Sequence, residues 1–96
     1  MIEIRQTAAF AAWLAALRDD RARARIAQRL RYVALGNFGD VKPVGAGLSE
    51  LRVNYGPGYR VYFVRRGLEI VVLLCGGDKS TQARDIKAAK KLAEEV

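Results

Sequence analysis

One segment of the chain, residues 49–63, restricts the possible folds more than any other. It contains two runs in which apolar and polar side chains alternate, separated by a Gly-Pro-Gly turn at 56–58. Alternation with a period of two indicates strands with one buried face, and a short glycine-rich connection between two such runs indicates a hairpin. The pattern therefore predicts an antiparallel pair of strands at 49–54 and 58–66.

The two predicted strands carry arginine and tyrosine on particular faces. On the first strand Arg52 and Asn54 point to the same side, and on the second strand Arg60 shares a face with Tyr62. Tyr59 points in the opposite direction and is expected in the core. Two guanidinium groups on neighbouring strands, next to aromatic rings, suit a phosphate and the bases beside it. The segment therefore favours a surface that binds nucleic acid.

Composition limits the chain to one small domain and suggests the charge of its partner. The 96 residues, 51% of them hydrophobic and 28% charged, suit a single ordered domain over residues 1–96. Lysine and arginine number 17 against 10 acidic residues, which gives a formal net charge of +7. Such an excess favours a polyanionic partner: nucleic acid, an acidic protein or, less readily, a membrane surface. The alternative, that the charge only keeps the protein soluble, stays open here.

Cysteine and histidine usage narrows the chemistry. The one cysteine, Cys75, has no partner for an internal disulfide and follows the apolar run 70–74, which favours a buried thiol. The chain has no histidine, so zinc-type sites and Ser/His or Cys/His catalysis are poor fits. We expect no metal and no cofactor. The start lacks the layout of a signal peptide and no apolar run could span a bilayer, so a cytoplasmic location is expected.

Apolar residues at helical spacing predict three helices. The first begins after Thr7, the second covers about 21–35 with Asp19 and Asp20 available as its cap, and the third covers about 82–94. The tight connection between the first two predicts an antiparallel helical hairpin. Its outer arginines form either a solvated face or an electrostatic contact to RNA. These arginines are Arg18, Arg21, Arg23, Arg25, Arg29 and Arg31.

The remaining segments complete a mixed fold. Short strands are expected at residues 2–5 and 68–75, whereas glycine and proline make residues 37–48 a predicted loop. The run 68–75 has few polar breaks, so both of its faces are expected to be covered. The resulting order is β-α-α-β-β-β-α. We therefore predict an α+β fold in which the helical hairpin packs on a mainly antiparallel, four-stranded sheet.

The polar residues suit a chemistry based on cations. Cleavage of RNA by its own 2′-hydroxyl needs a proton acceptor, stabilisation of a pentacovalent phosphorane and a proton donor. Arginine and lysine supply the stabilisation, while a tyrosine or a lysine of lowered pKa would have to move protons. Much of the rate would come from holding the phosphodiester in line. The segment 76–80, Gly-Gly-Asp-Lys-Ser, lacks the spacing of a phosphate loop but places a lysine and backbone donors where an anion can bind.

Two sequence patterns carry a resemblance to a known family. They are Leu-Arg…Gly-Tyr-Arg-Val-Tyr, within residues 47–63, and Cys-Gly-Gly-Asp-Lys-Ser, within residues 70–86. Together they resemble the RelE/ParE superfamily of toxins from bacterial type II toxin–antitoxin systems, and most of all its HigB-like addiction module killer protein branch. The predicted element order extends the resemblance to nearly the whole chain. It implies a RelE-like fold and an endoribonuclease that cleaves mRNA in the ribosomal A site without a metal.

The resemblance also assigns roles to residues. Arg60, in the Gly-Tyr-Arg motif, corresponds to a phosphate-stabilising arginine. Arg52 corresponds to a basic residue of the preceding strand, and Lys79 to the basic residue after the last strand. These three are the expected catalytic residues. The expected RNA-binding residues are Tyr55, Tyr62, Asn54, Gln82 and Arg84.

This chain departs from the family pattern at two points. RelE has a tyrosine near its C-terminus that stacks on mRNA, but here no aromatic residue follows Phe63, and the histidines of several HigB toxins are absent. Tyr55 or Tyr62 would then take over base contact or proton transfer. Each is equally well explained as a partly buried residue of the sheet.

The resemblance implies partners as well. A cognate antitoxin, such as a helix-turn-helix protein, is expected to form a tight hetero-oligomer with the chain and to occlude Arg52 and Arg60 with an acidic segment or a helix. The ribosome and mRNA are the expected targets. ParE-like members share the fold but inhibit DNA gyrase without chemistry, so fold alone leaves this alternative open. A homologue that only binds its antitoxin is a further alternative.

Overall fold

The computed structural model describes residues 1–96 as three helices and one five-stranded sheet. The elements are β1 (Glu3–Gln6), α1 (Ala8–Ala16), α2 (Asp20–Ala34), β2 (Val41–Gly45), β3 (Leu48–Val53), β4 (Tyr59–Arg66), β5 (Ile70–Asp78) and α3 (Gln82–Ala93). The strand order in the sheet is β1-β5-β4-β3-β2, with β1 parallel to β5 and the other neighbours antiparallel. The α+β class is therefore confirmed and the sheet is mixed, whereas the four-stranded count and the order β-α-α-β-β-β-α are wrong because they lack β2.

The strand β2 lies in the segment that was expected to be a loop. It pairs antiparallel with β3 and forms one edge of the sheet, with an irregular register between Pro43 and Gly45. Proline has no backbone N–H to donate, so it is tolerated in an edge strand, where one side needs no partner. Pairing with β3 thus overrides the local turn preference of proline and glycine, a tertiary effect that periodicity does not reveal.

The helices cover both faces of the sheet. The helical hairpin of α1 and α2 buries residues such as Phe10 and Ile26 against one face, as expected. The other face is covered by α3, whose Ala89 packs among Tyr62, Val64 and neighbouring sheet residues. Residues of β5 contribute to both apolar clusters, which confirms that this strand is covered on both sides. The sequence analysis did not predict which face of the sheet α3 covers, and in the structure α3 covers the face that carries Arg60.

The helix starts agree with the capping residues. The Thr7 side chain accepts a hydrogen bond from the backbone N–H of Phe10 at 3.0 Å. The carboxylate of Asp19 accepts from the backbone N–H groups of Arg21 and Ala22 at 3.0 and 3.2 Å. Each acceptor satisfies donors that the first helical turn leaves unpaired. These local signals explain why the start of both helices was predictable.

The strand β5 continues through Gly76 and Gly77, beyond the predicted end of the strand at residue 75. A Cβ atom at Gly76 would lie 2.3 Å from Cε3 of Trp13, and one at Gly77 would lie 1.8 Å from Oδ2 of Asp85. The pair therefore lets α1 and α3 approach the strand from opposite faces. Asp78 ends the strand, and its carboxylate accepts a hydrogen bond from the backbone N–H of Ser80 at 2.8 Å. The backbone N–H of Ser80 is therefore not free for an anion, whereas the side chain of Lys79 is exposed.

Candidate functional site

The open ends of β3 and β4 border a polar cleft of about 520 Å³. None of the residues around it is hydrophobic, unlike the mostly apolar wall of a typical small-molecule pocket. Four of the predicted site residues meet here: Arg52, Asn54, Arg60 and Lys79. The complete lining is Asp40, Arg52, Asn54, Gly56, Pro57, Gly58, Arg60 and Lys79.

The turn between β3 and β4 shapes the floor of the cleft. Gly58 has a φ of +82°, which glycine adopts without the strain that other residues meet. A Cβ atom at this position would lie 3.6 Å from both Nη1 of Arg60 and Cβ of Lys79. Gly58 is therefore the point at which the residues from β4 and from the end of β5 come together.

The two arginines of the cleft lie directly opposite each other in the β3–β4 register. Like charges in such a cross-strand pair are destabilising. Each guanidinium has its own carboxylate: Arg52 donates from Nη2 and Nε to Oδ1 of Asp40 at 3.0 and 3.2 Å. Nε of Arg60 lies 3.7 Å from Oε1 of Glu50. The carboxylates of Asp40 and Glu50 therefore offset the repulsion between the two guanidinium groups.

Sequence analysis missed both carboxylates. Asp40 precedes the unpredicted strand β2, and a lone aspartate in a glycine-rich segment carries no signal of its own. Its backbone is held by Arg29 of α2, whose guanidinium donates to the carbonyl oxygens of Phe38, Asp40 and Arg52. Glu50 belongs to the alternation of β3, but nothing in the sequence indicates its partners.

The arginines of the helical hairpin divide into structural and exposed groups. Arg29 holds the segment that carries Asp40, and Arg23 donates hydrogen bonds to Leu17 and Asp20. Arg25 lies over the ring of Tyr55, 4.8 Å from its centroid. The remaining arginines are exposed and their side chains make no hydrogen bond or ion pair within the protein, which leaves them available to a polyanion. They are Arg18, Arg21 and Arg31.

The tyrosines do not line the cleft. Tyr62 is 0% exposed beneath α3, and its hydroxyl has no hydrogen-bond partner. Burial, followed by the charge of Glu50, raises the pKa of Tyr62 far above its usual value. The expectation that Tyr62 contacts a base or moves a proton is therefore wrong. Tyr55 packs against the core on the other face, and Tyr59 packs edge-on against Trp13 in the core as predicted.

The last two predicted RNA contacts also lie outside the cleft. Gln82, the first residue of α3, donates a hydrogen bond from Nε2 to Oε2 of Glu50 at 2.8 Å. Arg84 is exposed and lies near Asp85, with 3.7 Å between Nε and Oδ1. The structure thus gives Gln82 a partner inside the protein and leaves Arg84 on the surface. Lys79 begins the 3₁₀ turn between β5 and α3 and is exposed at the cleft.

Replacing Tyr62 by phenylalanine is expected to make the protein less sensitive to alkaline pH. Burial raises the pKa of the Tyr62 phenol above 10.0, so its stabilising contribution is present below pH 10 and is lost as pH rises toward the folded value. Urea unfolding at pH 7.5 should give free energies within about 1 kcal/mol of each other, because the hydroxyl is unpaired. Between pH 9.5 and about 11, the wild type should lose more stability than the variant.

A second variant separates the contribution of Cys75. Burial, followed by the charge of Asp85, raises the pKa of the Cys75 thiol from 9.0 to about 11. The thiol therefore stabilises the fold below pH 9 and loses this effect up to about pH 11. Cys75→Ala should therefore remove the loss of stability at alkaline pH that is due to the thiol and keep the loss that is due to Tyr62. Parallel stability curves for wild type and both variants would contradict the buried placement of these groups.

Two global features complete the description. No helix has both the length and the apolar character needed to cross a bilayer. No three side chains of the types His, Cys, Asp or Glu lie together where they could hold a metal ion.

Comparison with known proteins places the chain in a family. Residues 12–95 match the family model described as phage derived protein Gp49-like, a domain of unknown function. An uncharacterized protein of Haemophilus influenzae is 50% identical over 95 residues, which cover 99% of this chain and 96% of that protein. No solved structure matches the chain significantly. The chain therefore belongs to the Gp49-like family of phage-derived proteins, which is a family of the RelE/HigB-like toxin type.

Proposed function

We propose that this protein is the toxin of a type II toxin–antitoxin module and acts as a ribosome-dependent, metal-independent mRNA endonuclease. The observation that carries the proposal is the meeting of Arg52, Arg60 and Lys79 around one open, mainly polar cleft. Three cationic side chains of different elements at one point suit a phosphodiester far better than a neutral ligand. Membership of a family of the RelE/HigB-like toxin type supports the toxin role.

The proposed reaction is attack of the RNA 2′-oxygen on the adjacent phosphorus. The bond from phosphorus to the 5′-oxygen breaks, which leaves a 2′,3′-cyclic phosphate and a new 5′-hydroxyl end. Negative charge grows on the non-bridging oxygens in the transition state, and Arg60 and Lys79 stabilise it. Arg52 holds the phosphate by exchanging its Asp40 carboxylate for a phosphate oxygen. Asn54, on the rim, offers an amide to a neighbouring base.

Proton transfer must use groups other than the tyrosines. The burial of Tyr62 removes it from the reaction, and Tyr55 lies on the opposite face of the sheet. The carboxylate of Asp40 borders the cleft and is the group proposed to accept the proton of the 2′-hydroxyl, while the ammonium group of Lys79 donates a proton to the leaving 5′-oxygen. The ribosome would supply the in-line geometry of the mRNA, which a shallow cleft of this size does not impose by itself.

The proposed antitoxin partner follows from the family of the chain, and the positive charge of the cleft is consistent with it. A cognate antitoxin, such as a helix-turn-helix protein with an acidic segment, would bind across Arg52 and Arg60 and exclude the substrate. The ribosome would contact the exposed arginines Arg18, Arg21 and Arg31 through its RNA.

Expression of the chain alone in bacterial cells, followed by mapping of mRNA 5′ ends, tests the proposal. New ends inside translated codons are expected for the wild type and are expected to disappear with Arg60→Ala and with Lys79→Ala. The Lys79 variant matters because this exposed side chain has no hydrogen bond or ion pair within the protein. Lys91→Ala, which removes the same charge from the far end of α3, is the matched control and should retain cleavage.

Two outcomes would reject the nuclease. Growth arrest with intact mRNA and signs of DNA damage would indicate a ParE-like gyrase inhibitor that performs no chemistry. The absence of any growth arrest would leave a homologue that only binds its antitoxin.

A further inference from the structure

The carboxylate of Glu50 is the one acidic side chain in the molecule that is almost completely enclosed, with 1% of it exposed. It lies on β3 under α3, on the same face as Leu48 and Tyr62. A charged group in such a place costs several kcal/mol of desolvation unless it is paired and hydrogen-bonded. An apolar residue would fit the layer between sheet and helix without that cost. The position of the charge therefore calls for a reason other than packing.

Glu50 uses its two oxygens for two different partners. Oε2 accepts the hydrogen bond from Nε2 of Gln82 at 2.8 Å, which fixes the carboxylate to the start of α3. Oε1 lies 3.7 Å from Nε of Arg60. The result is a chain of contacts, Gln82–Glu50–Arg60, that runs from the interior to the cleft. Arg60, whose side chain is 12% exposed, is its outermost member.

The hydrogen bonds of Arg60 are incomplete in this state. Its Nε is buried and has no hydrogen-bond partner, because 3.7 Å is longer than a hydrogen bond. Nη1 makes only long contacts of 3.5 Å to the carbonyl oxygens of Gly58 and Tyr59. A carboxylate on the Nε side leaves the Nη atoms for an anion in the cleft. Hydrogen bonds of catalytic groups are often long without substrate and tighten when it binds.

We infer that Glu50 is a positioning residue: its buried carboxylate orients the guanidinium of Arg60 so that the Nη atoms face the scissile phosphate. Gln82 holds Glu50 in the required rotamer. This inference rests on the proposed nuclease function, since the phosphate is the RNA backbone. Glu50 itself does not contact the substrate and acts through Arg60 alone. The inference is testable because replacing Glu50 should then have no effect once Arg60 is absent.

The first measurement is single-turnover cleavage of a defined mRNA on programmed ribosomes. Glu50→Gln keeps the size of the side chain and removes its charge, so it is expected to lower the saturating rate about 10–100-fold, as lost orientation does. The toxin concentration for half-saturation should change less than threefold. Gln82→Ala should give a smaller loss of the saturating rate. Glu69→Gln, which removes an exposed charge at the β4–β5 turn, is the control and should behave as wild type.

A double-mutant cycle then separates positioning from general damage. If Glu50 acts through Arg60, adding Glu50→Gln to Arg60→Ala should lower the rate no further than Arg60→Ala alone. The four proteins are compared at a temperature where circular dichroism shows all of them folded. An equal fractional loss in both backgrounds would overturn the inference, because Glu50 would then act without Arg60.

A second measurement needs no cleavage. The Nε–H resonance of Arg60 in a ¹⁵N-labelled sample is identified by its loss in Arg60→Lys, and it should shift in Glu50→Gln but not in Glu69→Gln. An unchanged resonance would overturn the inference. If the wild type cleaves no mRNA but the resonance shifts, the contact between Glu50 and Arg60 holds and the nuclease proposal fails.

Discussion

Replacing Arg60 is expected to lower the cleavage rate on ribosomes about 10²- to 10³-fold, the usual cost of removing one transition-state donor. The variants Arg60→Lys and Arg60→Ala should differ in their free energy of unfolding, however. Lysine keeps a positive charge beside Glu50 but loses the planar fork that binds phosphate. Alanine leaves the Glu50 carboxylate buried with Gln82 as its remaining partner, which is expected to lower the free energy of unfolding by about 3 kcal/mol.

Adding Glu50→Gln to Arg60→Ala separates the two losses. The double variant no longer buries an unpaired charge, so urea unfolding should show that most of the lost stability returns. Cleavage should stay as low as in Arg60→Ala, because the phosphate still lacks its guanidinium. Lys91→Ala serves as the charge-matched control in both assays. Full cleavage by Arg60→Lys would contradict a role for the fork, and an unchanged stability of Arg60→Ala would contradict the ion pair with Glu50.

Replacing Gly77 by alanine is expected to lower the free energy of unfolding by about 3 kcal/mol, at the upper end of the range for overpacked interiors. The new methyl group would lie 1.8 Å from Oδ2 of Asp85, so α3 or the Asp85 side chain must move. Movement of that side chain would break its hydrogen bond from the hydroxyl of Thr81, which is 2.5 Å long. Urea denaturation followed by circular dichroism measures the loss.

Two comparisons make the Gly77 result specific. At Gly67 no atom lies within 4 Å of an added Cβ, so Gly67→Ala should cost only about 1–2 kcal/mol, from its φ of +66°. In the second comparison Asp85→Ala removes the atom that clashes. The losses of Gly77→Ala and Asp85→Ala should therefore fall short of additivity by at least about 1 kcal/mol. Equal losses for Gly77→Ala and Gly67→Ala would show that α3 does not approach β5 this closely.

The predictable part of the candidate site came from periodicity. Alternation over residues 49–63 put Arg52 and Arg60 on outward positions of adjacent strands, and the register places them directly opposite each other. Lys79 could be placed because it follows the last strand. All three positions depend on local order along the chain, and the β-hairpin converts that order into proximity.

The errors share a different origin. Tyr62 has the same orientation as Arg60, but α3 covers that part of the face and leaves Arg60 at its edge. Periodicity assigns a side chain to a face and does not indicate how much of that face another helix covers. The predicted strand 68–75 stopped before Gly76 and Gly77 because glycine has a low local preference for strands, whereas the structure uses both glycines for close packing of the helices.

What the sequence determined by itself is therefore the set of elements with strong local signals. The helix caps, the helical hairpin and the strand pair with its Gly-Pro-Gly turn follow from spacing and side-chain chemistry, whereas the choice of Arg52, Arg60 and Lys79 as site residues follows from the resemblance to the RelE/ParE superfamily. Tertiary structure alone decided the edge strand β2, the position of α3 and the partners of the two arginines. Asp40 lies beside Arg52 just before the strand β2 that pairs with β3, and α3 supplies Gln82 as the hydrogen-bond partner of Glu50. Contacts between distant residues carry no periodic signature, and they form because they lower the free energy of the whole fold.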